Sequence, residues 1–231
     1  MDEDTAARAF AAGYDAFARD DYAAAHAAWE PLAAAGMAKA QFYLGYLHQC
    51  GHGTAQDYHR ARDYYRMAAE QGDAGAQYAL GNLFYFGQGT AKDRAEAAKW
   101  FRMAALQGHR DAQYNLGDIF ARGLSQSAGV PQDDLAAAQW YEMAAHSGDG
   151  AGQEKLAQMY LEGRGAVRDL VRAYAWFALA IAKGNSGAQT GLDTATQAMT
   201  ADDIAMANAL ARTIAERSGQ PGKTTPEKAG S

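Results

Sequence analysis

The chain has 231 residues, of which 48% are hydrophobic and 21% charged, a composition typical of a soluble globular protein with ample material for a core. Its net charge of −6 argues against nucleic acid as a partner, because phosphate binding rewards clustered lysine and arginine. No stretch approaches the roughly 18 consecutive apolar residues of a membrane-spanning helix, so we expect no integral membrane segment.

The first residues and the cysteine content bear on the compartment. The start, Met1-Asp-Glu-Asp-Thr5, is acidic and no apolar segment follows it, which is unlike a secretory signal peptide. The sequence as written therefore predicts a cytoplasmic protein. If Met1 replaces a removed signal peptide, the protein would instead be periplasmic or exported. The single Cys50 cannot form an internal disulfide and suits a reducing compartment.

Two short sequence motifs, called phrases below, recur along the chain at a nearly constant spacing. The first begins with Ala-Gln or Gly-Gln, at Ala40, Ala76, Ala112 and Gly152. The second is an aromatic pair, at 64–65, 100–101, 140–141 and 176–177. The glycines that close the copies are 36, 36, 40 and 36 residues apart, at Gly36, Gly72, Gly108, Gly148 and Gly184. Repetition at this period predicts a solenoid built from one supersecondary unit, a class that presents surfaces more often than it performs chemistry.

The first phrase predicts a short helix in each unit. In the second unit Leu80, Gly81 and Phe84 lie on one stripe of that helix. A glycine at its centre costs roughly 1 kcal/mol of helix propensity relative to alanine. Because the glycine recurs at Gly45 and Gly117, we expect a partner helix to approach too closely for a larger side chain.

A glycine pair and an aspartate separate the two helices of each unit. Gly87-Gln-Gly89 ends the first helix and permits a sharp reversal with positive φ. Asp93 can cap the start of a second helix, whose buried stripe includes Trp100 and Phe101. Each unit is therefore predicted to be a helix–loop–helix hairpin that the glycine after its second helix closes.

The two ends of the chain depart from the repeat, as capping units must. Thr200-Ala-Asp-Asp203 predicts a capping box that opens a final helix. The segments predicted along one elongated domain are a degenerate capping repeat at 1–36, repeats at 37–72, 73–108, 109–148 and 149–184, a capping hairpin at 185–217 and a disordered tail at 218–231. The third repeat carries an expanded loop at 123–129, interpreted as either tolerated drift or a recognition element.

The repeated residues resemble the Sel-one-like repeat (SLR) family, which is related to the tetratricopeptide repeats. The likeness is strong over 37–184 and weaker over 5–36 and 185–217, and the Gly-x-Gly loop and the period near 36 carry it. His48, where the family prefers Tyr, and Ala157, in place of Gly, are small departures. The resemblance implies an all-α, right-handed α/α superhelix that acts as an adaptor or scaffold for other proteins, often in bacterial signalling, secretion or envelope processes.

In arrays of this kind the first helices line a concave groove, and positions two before and two after the leucine of each Leu-Gly pair should point into it. The candidate partner-binding residues are Phe42 and Tyr46, Tyr78 and Asn82, Tyr114 and Asp118, and Glu154 and Gln158, with Gln49 and Tyr85 one turn further along. Tyrosines beside carboxylates and amides suit a protein or peptide partner. Tyr78 and Tyr114 could instead be packing residues typical of the family.

Other site types receive less support. His48, Cys50 and His52 are close in sequence, but glycines break the helix between them and His48 occupies a core position, so no metal site is expected. No catalytic motif is present, and cysteine-rich relatives with assigned β-lactamase activity carry a cysteine pair per repeat, which this chain lacks. We therefore expect a protein that is not an enzyme and needs no cofactor. The alternatives left open are an envelope glycan or small molecule in the same groove, and a hydrolase.

Overall fold

The computed structural model describes residues 2–123 and 131–218, and their regular structure is entirely helical. The helices of this part of the chain are α1 (Glu3–Ala18), α2 (Tyr22–Ala34), α3 (Ala38–Cys50), α4 (Tyr58–Glu70), α5 (Ala74–Phe86), α6 (Arg94–Leu106), α7 (Arg110–Arg122), α8 (Asp134–His146), α9 (Gly150–Glu162), α10 (Leu170–Ala182), α11 (Gln189–Gln197) and α12 (Ala201–Ser218). The prediction of an all-α fold is confirmed. The expanded loop at 123–129 and the tail at 218–231 lie outside the described residues, apart from Gly123 and Ser218.

The described residues divide into two compact units. Unit 1 comprises residues 2–119 with Gly123 and Pro131, and unit 2 comprises 120–122 and 132–218. Within unit 1, helices α1 to α6 pack consecutively, each on the next. Within unit 2, α8 packs on α9, α9 on α10, and α10 on both α11 and α12. Consecutive packing of hairpins is the arrangement predicted for a solenoid.

The second helices start at the predicted aspartates. Each of these side chains accepts a hydrogen bond of 2.9 Å from a backbone N–H of the first helical turn, at Asp57, Asp93, Asp133 and Asp169. Such a cap satisfies an N–H that has no partner inside the helix and contributes about 1 kcal/mol.

The glycine inside each first helix allows two helices to touch. A Cβ atom on Gly81 would lie 2.7 Å from the buried ring of Phe101, and one on Gly45 would lie 2.7 Å from the ring of Tyr65. Real Cβ atoms do not approach rings so closely, so a side chain at either glycine would push the helices apart. The predicted close approach is confirmed at these two positions.

The two glycines of the Gly87-Gln-Gly89 loop have different structural roles. Gly87 caps α5 in the left-handed conformation, with φ of 76°, as the sequence predicted. Gly89 lies against the start of the preceding hairpin's second helix, where a Cβ atom would come within 2.4 Å of the Tyr58 carbonyl oxygen. The pair therefore both reverses the chain and lets one hairpin touch the previous one.

A column of buried glutamines links each first helix to the helix before it. Each donates an Nε2–H to the backbone carbonyl eight residues earlier at 3.1–3.2 Å, in the pairs Gln41–Ala33, Gln77–Ala69, Gln113–Ala105 and Gln153–Ala145. The acceptor carbonyls lie near the ends of the preceding helices. The repeated Ala-Gln phrase is therefore a structural connector between neighbouring helices.

The two ends use variants of the same packing. Near the N-terminus a Cβ atom on Gly13 would lie 2.4 Å from the fully buried Trp29, the same relation as in the full repeats. Thr200 and Asp203 form the predicted capping box, since each backbone N–H donates to the other's side chain. Among residues 2–123 and 131–218, no helix has both the length and the apolar character that crossing a lipid bilayer requires.

Candidate partner-binding surface

Two positions of each first helix flank its small central residue and define the surface of interest. They lie three residues before and one after Gly45, Gly81, Gly117 or Ala157, and we call them the first-helix face. The ten candidate residues, which include these eight, are all half-buried: Phe42, Tyr46, Gln49, Tyr78, Asn82, Tyr85, Tyr114, Asp118, Glu154 and Gln158. Half-burial is compatible with a rigid binding surface, because each side chain packs on one side and meets solvent on the other.

Aromatic contacts hold the first two residues of this face in unit 1. The Phe42 ring lies 5.8 Å from the Tyr65 ring and the Tyr46 ring 5.8 Å from the Phe17 ring, measured between centroids. Tyr46 also hydrogen-bonds with the Cys50 thiol, and that contact raises the pKa of the tyrosine. Both side chains are therefore positioned before any partner arrives.

Tyr78 lies against a histidine that begins the next first helix. Its ring stacks on His109 at 4.4 Å and also packs 5.7 Å from Phe101. His109 accepts the Ala112 backbone N–H through Nδ1 at 3.4 Å, which makes the imidazole the cap of α7. Burial lowers the pKa of His109, so the neutral ring that can accept this bond is favoured.

The two residues one turn further along are tied to the second helices. Gln49 accepts a hydrogen bond of 2.7 Å from the hydroxyl of the buried Tyr65. Tyr85 lies under the guanidinium of Arg94 at 5.4 Å, within the range of a cation–π contact. The exposed part of each side chain can still contact a partner, but the rest of it already contacts the second helix of its own hairpin.

In unit 2 the equivalent positions are polar. Glu154 accepts a hydrogen bond of 2.7 Å from Asn185, whose amide also bonds to the Gly150 carbonyl at 3.1 Å. Gln158 donates to Glu162 within the same helix. Glu154 therefore offers a carboxylate where unit 1 has rings, whereas Gln158 offers an amide at a position that is already polar in two first helices of unit 1, α5 and α7.

Two residues of the same face escaped sequence analysis. Phe10 and Tyr14 stand three before and one after Gly13, the spacing of Phe42 and Tyr46 around Gly45. Their rings lie 5.8 and 5.9 Å from the Tyr43 ring. A spacing counted from a Leu-Gly pair does not reach them, because Ala12 precedes Gly13, whereas the same spacing counted from the glycine itself identifies both.

A cavity opens on the first-helix face at this end of unit 1. It has a volume of about 470 Å³, and we call it the N-terminal cavity. Its walls combine four aromatic rings with one cation, one carboxylate and one glycine: Phe10, Tyr14, Phe42, Tyr43, Lys39, Asp73 and Gly75. The cavity is an open depression, and its volume lies within the range of about 300–1,000 Å³ that is usual for binding pockets.

His48 occupies a core position, as predicted. It is 1% exposed, stacks on Tyr64 with 5.6 Å between centroids, and meets the edge of His26 at 5.5 Å. Neither ring nitrogen has a hydrogen-bond partner within the described residues. Burial lowers the pKa of this imidazole.

The described residues bring no three potential metal ligands together. Histidine, cysteine, aspartate and glutamate side chains form no group of three that could hold an ion in this part of the chain. Cys50 is exposed, whereas His48 is buried, so the two are not arranged as a shared site. What the described surface offers is rings, amides and scattered charges, which suit binding.

The fold and its exposed face define a protein built from repeated helical hairpins. The Sel1 repeat profile matches the chain at 38–73, 74–109, 110–149 and 150–185, so the chain belongs to the Sel1 repeat family. Members of this family are generally scaffolds for protein interactions. No curated protein matches the sequence.

Solved structures resemble the chain as well. The crystal structure of c5321, a protective antigen of uropathogenic Escherichia coli strains with an SLR fold, has a TM-score of 0.80 at 30% identity over 96% of this chain. A Sel1 repeat protein from Oxalobacter formigenes has a TM-score of 0.68 at 36% identity over 74% of this chain. The chain spans about half of each of these proteins, 50% and 48%. A sel1 repeat protein from Klebsiella pneumoniae subsp. pneumoniae, at 23% identity and a TM-score of 0.51, shares the fold.

Proposed function

We propose that the protein is a non-enzymatic adaptor that binds a protein or peptide partner on its first-helix face. The observation that carries the proposal is the half-burial of every candidate residue on this face. Side chains held by the hairpins lose little conformational freedom when a partner docks, so more of the contact energy contributes to affinity. The three solved structures named above come from bacteria, which suits a role in bacterial signalling, secretion or envelope processes.

The test replaces two tyrosines of the face and one residue elsewhere. Tyr78→Ala with Tyr114→Ala should weaken capture of the cellular partner at least about thirty-fold, the loss expected when interface aromatics worth about 2 kcal/mol or more are truncated. Met103→Ala is the control, because Met103 is a 44% exposed side chain of the second helix α6. It should leave capture unchanged.

Circular dichroism and urea unfolding separate binding from folding. Tyr78 packs on Phe101, so the double variant should lose some stability while it keeps its helical content and a cooperative transition. If the helical array collapses, these tyrosines belong to the core and the proposal is wrong. It is equally wrong if Met103→Ala weakens capture as much as the tyrosine changes do.

A further inference from the structure

We propose that the N-terminal cavity receives one aromatic side chain of a partner segment, and that acidic residues flank that side chain in the partner. This inference rests on the proposed function and deepens it, because it names what one part of the first-helix face recognises. Three features support it: the arrangement of the rings, the charge at the rim and the glycine in the wall.

The rings of the cavity are arranged to accept another ring. Tyr14 and Phe42 meet Tyr43 edge-to-face, at centroid distances of 5.9 and 5.3 Å with interplanar angles of 77° and 74°. Tyr14 is 49% exposed, so about half of this residue is accessible to a partner. An incoming aromatic ring gains edge-to-face contacts beyond the burial of area, which an aliphatic side chain of the same size does not.

The charge that the cavity can offer a partner is positive. Lys39 is exposed and makes no ion pair within the part of the chain that the structure describes. Asp73 caps α5 and accepts the Ala76 backbone N–H at 2.8 Å, so its charge already faces the positive end of that helix. A carboxylate beside the inserted ring would therefore pair with Lys39.

The opening of the cavity depends on Gly75. A Cβ atom there would lie 3.2 Å from Oδ1 of Asp73 and 3.3 Å from Cε2 of Phe42, so a larger side chain would occupy the space into which the partner's aromatic ring is proposed to insert. The equivalent positions of the first helices α3, α7 and α9 hold Lys39, Asp111 and Ala151. Gly75 lies in the first turn of α5 with ordinary helical φ, so Gly75→Leu fills the cavity without straining the backbone.

The experiment titrates the full chain with short peptides and follows backbone amide signals by NMR. The probe is acetyl-Gly-Glu-Trp-Glu-Gly-amide, and the matched peptides carry Lys-Trp-Lys or Glu-Ala-Glu at the centre. We expect saturable shifts at the amides of residues 39–43 and 73–75 with the probe. Binding of each matched peptide should be weaker by at least about five-fold, which corresponds to about 1 kcal/mol for the lost ring contacts or the lost ion pair.

Three variants test the assignment. Lys39→Glu should weaken binding of the probe and strengthen binding of the Lys-Trp-Lys peptide. Gly75→Leu should abolish saturable binding of all three peptides. Lys92→Glu makes the same charge change beyond the opposite end of α5 and should alter binding little. Equal binding of the Glu and Lys peptides, equal effects of Lys39→Glu and Lys92→Glu, or shifts outside the cavity would overturn the inference.

Two further outcomes identify a different occupant. Shifts of the cavity amides that grow with protein concentration in the absence of peptide would assign the cavity to a second copy of the chain. Free indole that binds as tightly as the probe would assign it to a small aromatic molecule. Either result overturns the inference but leaves the proposed function intact, provided that Tyr78→Ala with Tyr114→Ala still weakens partner capture. If the tyrosine changes do not weaken partner capture but the peptide site is confirmed, the proposed function is wrong and the assignment of the cavity stands.

Discussion

The repeated buried glutamine forms hydrogen bonds through both its side-chain nitrogen and its side-chain oxygen in unit 1, but only through its nitrogen in the described part of unit 2. In unit 1, the Oε1 atom of Gln77 accepts a hydrogen bond of 2.8 Å from Gln107, in the turn that closes the same hairpin. In unit 2, Gln153 keeps its bond to the preceding helix, but its buried Oε1 has no partner within the described residues. Lys183 stands where Gln107 stands in unit 1. The bond to the helix before is thus common to both units, while the bond to the closing turn is not.

The half-buried positions of the first-helix face differ between the units more than the buried positions do. The buried aromatic of the second helix is retained, as Tyr65 and Phe101 in unit 1 and Phe177 in unit 2. On the first-helix face, by contrast, Phe42 of unit 1 corresponds to Glu154 of unit 2. Buried positions repeat because every hairpin must pack against its neighbours in the same way, whereas the side chain at a half-buried position can vary with the group that it contacts.

The largest effect should come from filling the closest helix approach. Gly81→Leu should lower the free energy of unfolding by about 3 kcal/mol, because a Cβ atom there already meets the buried Phe101 ring at 2.7 Å. Gly75→Leu places the same side chain on the same helix, where the atoms nearest its Cβ are the side-chain atoms Asp73 Oδ1 and Phe42 Cε2 at 3.2 and 3.3 Å, so it should cost less than Gly81→Leu. Urea denaturation of both variants checks this, and similar losses would contradict the packing role of Gly81.

His48 differs from its counterparts, Phe84 in unit 1 and Tyr160 in unit 2. His48→Phe should raise the free energy of unfolding by about 1–2 kcal/mol near neutral pH, because it removes two buried nitrogens that lack partners. Calorimetry at fixed pH measures this gain. If His48→Phe is destabilising, the imidazole makes a contact that its burial and ring stacking do not account for.

The pH dependence follows from the same histidine. Burial lowers the pKa of His48, and the charges that face it are His26 and Glu30 from α2 and Asp57 and Arg60 from the start of α4. The unfolded chain therefore takes up the proton first as the pH falls. Stability should decrease below about pH 6.5, by at most about 1.4 kcal/mol per pH unit for this group. The His48→Phe variant should show a flatter pH profile, and an unchanged slope would assign the dependence to other groups.

A substitution in unit 2 tests the glutamine comparison directly. Lys183→Gln supplies an amide where unit 1 has one and should raise the free energy of unfolding by about 1 kcal/mol, since it gives the buried Gln153 oxygen a donor. The reverse change in unit 1, Gln107→Lys, should lower it by a similar amount. Thermal unfolding of both variants decides, and changes of the same sign would contradict the comparison.

The smallest effect is expected at the cap of α7. His109→Asp replaces the only histidine among the described first-helix caps with the residue that caps α5 and α9, but it removes the ring that stacks on Tyr78, so it should add at most about 0.5 kcal/mol at pH 7. The gain should grow as the pH falls, because burial lowers the pKa of His109 and protonation ends its acceptor role. Unfolding at pH 7 and pH 5.5 measures the difference, and a gain that shrinks on acidification would contradict this view.

The sequence predicted the hairpins and most of the residues that begin and end their helices. The aspartate caps and the left-handed Gly87 follow from local rules about single residues, and the close approach at Gly81 follows from the recurrence of that glycine in three of the four repeats. The glutamine column could not be predicted in this way, because its bonds run to a carbonyl of another helix and to a turn 30 residues away. The spacing that located Tyr78 also applies to Phe10, but it becomes visible only when Gly13 is aligned with Gly81.

The position of Cys50 has a practical consequence for measuring binding. It is the chain's single cysteine and is exposed at the end of α3. Its thiol contacts Tyr46 of the first-helix face. A thiol-reactive fluorophore would therefore attach at one place, beside the surface where docking is proposed, without any engineered mutation. Its emission would follow the arrival of a partner in real time.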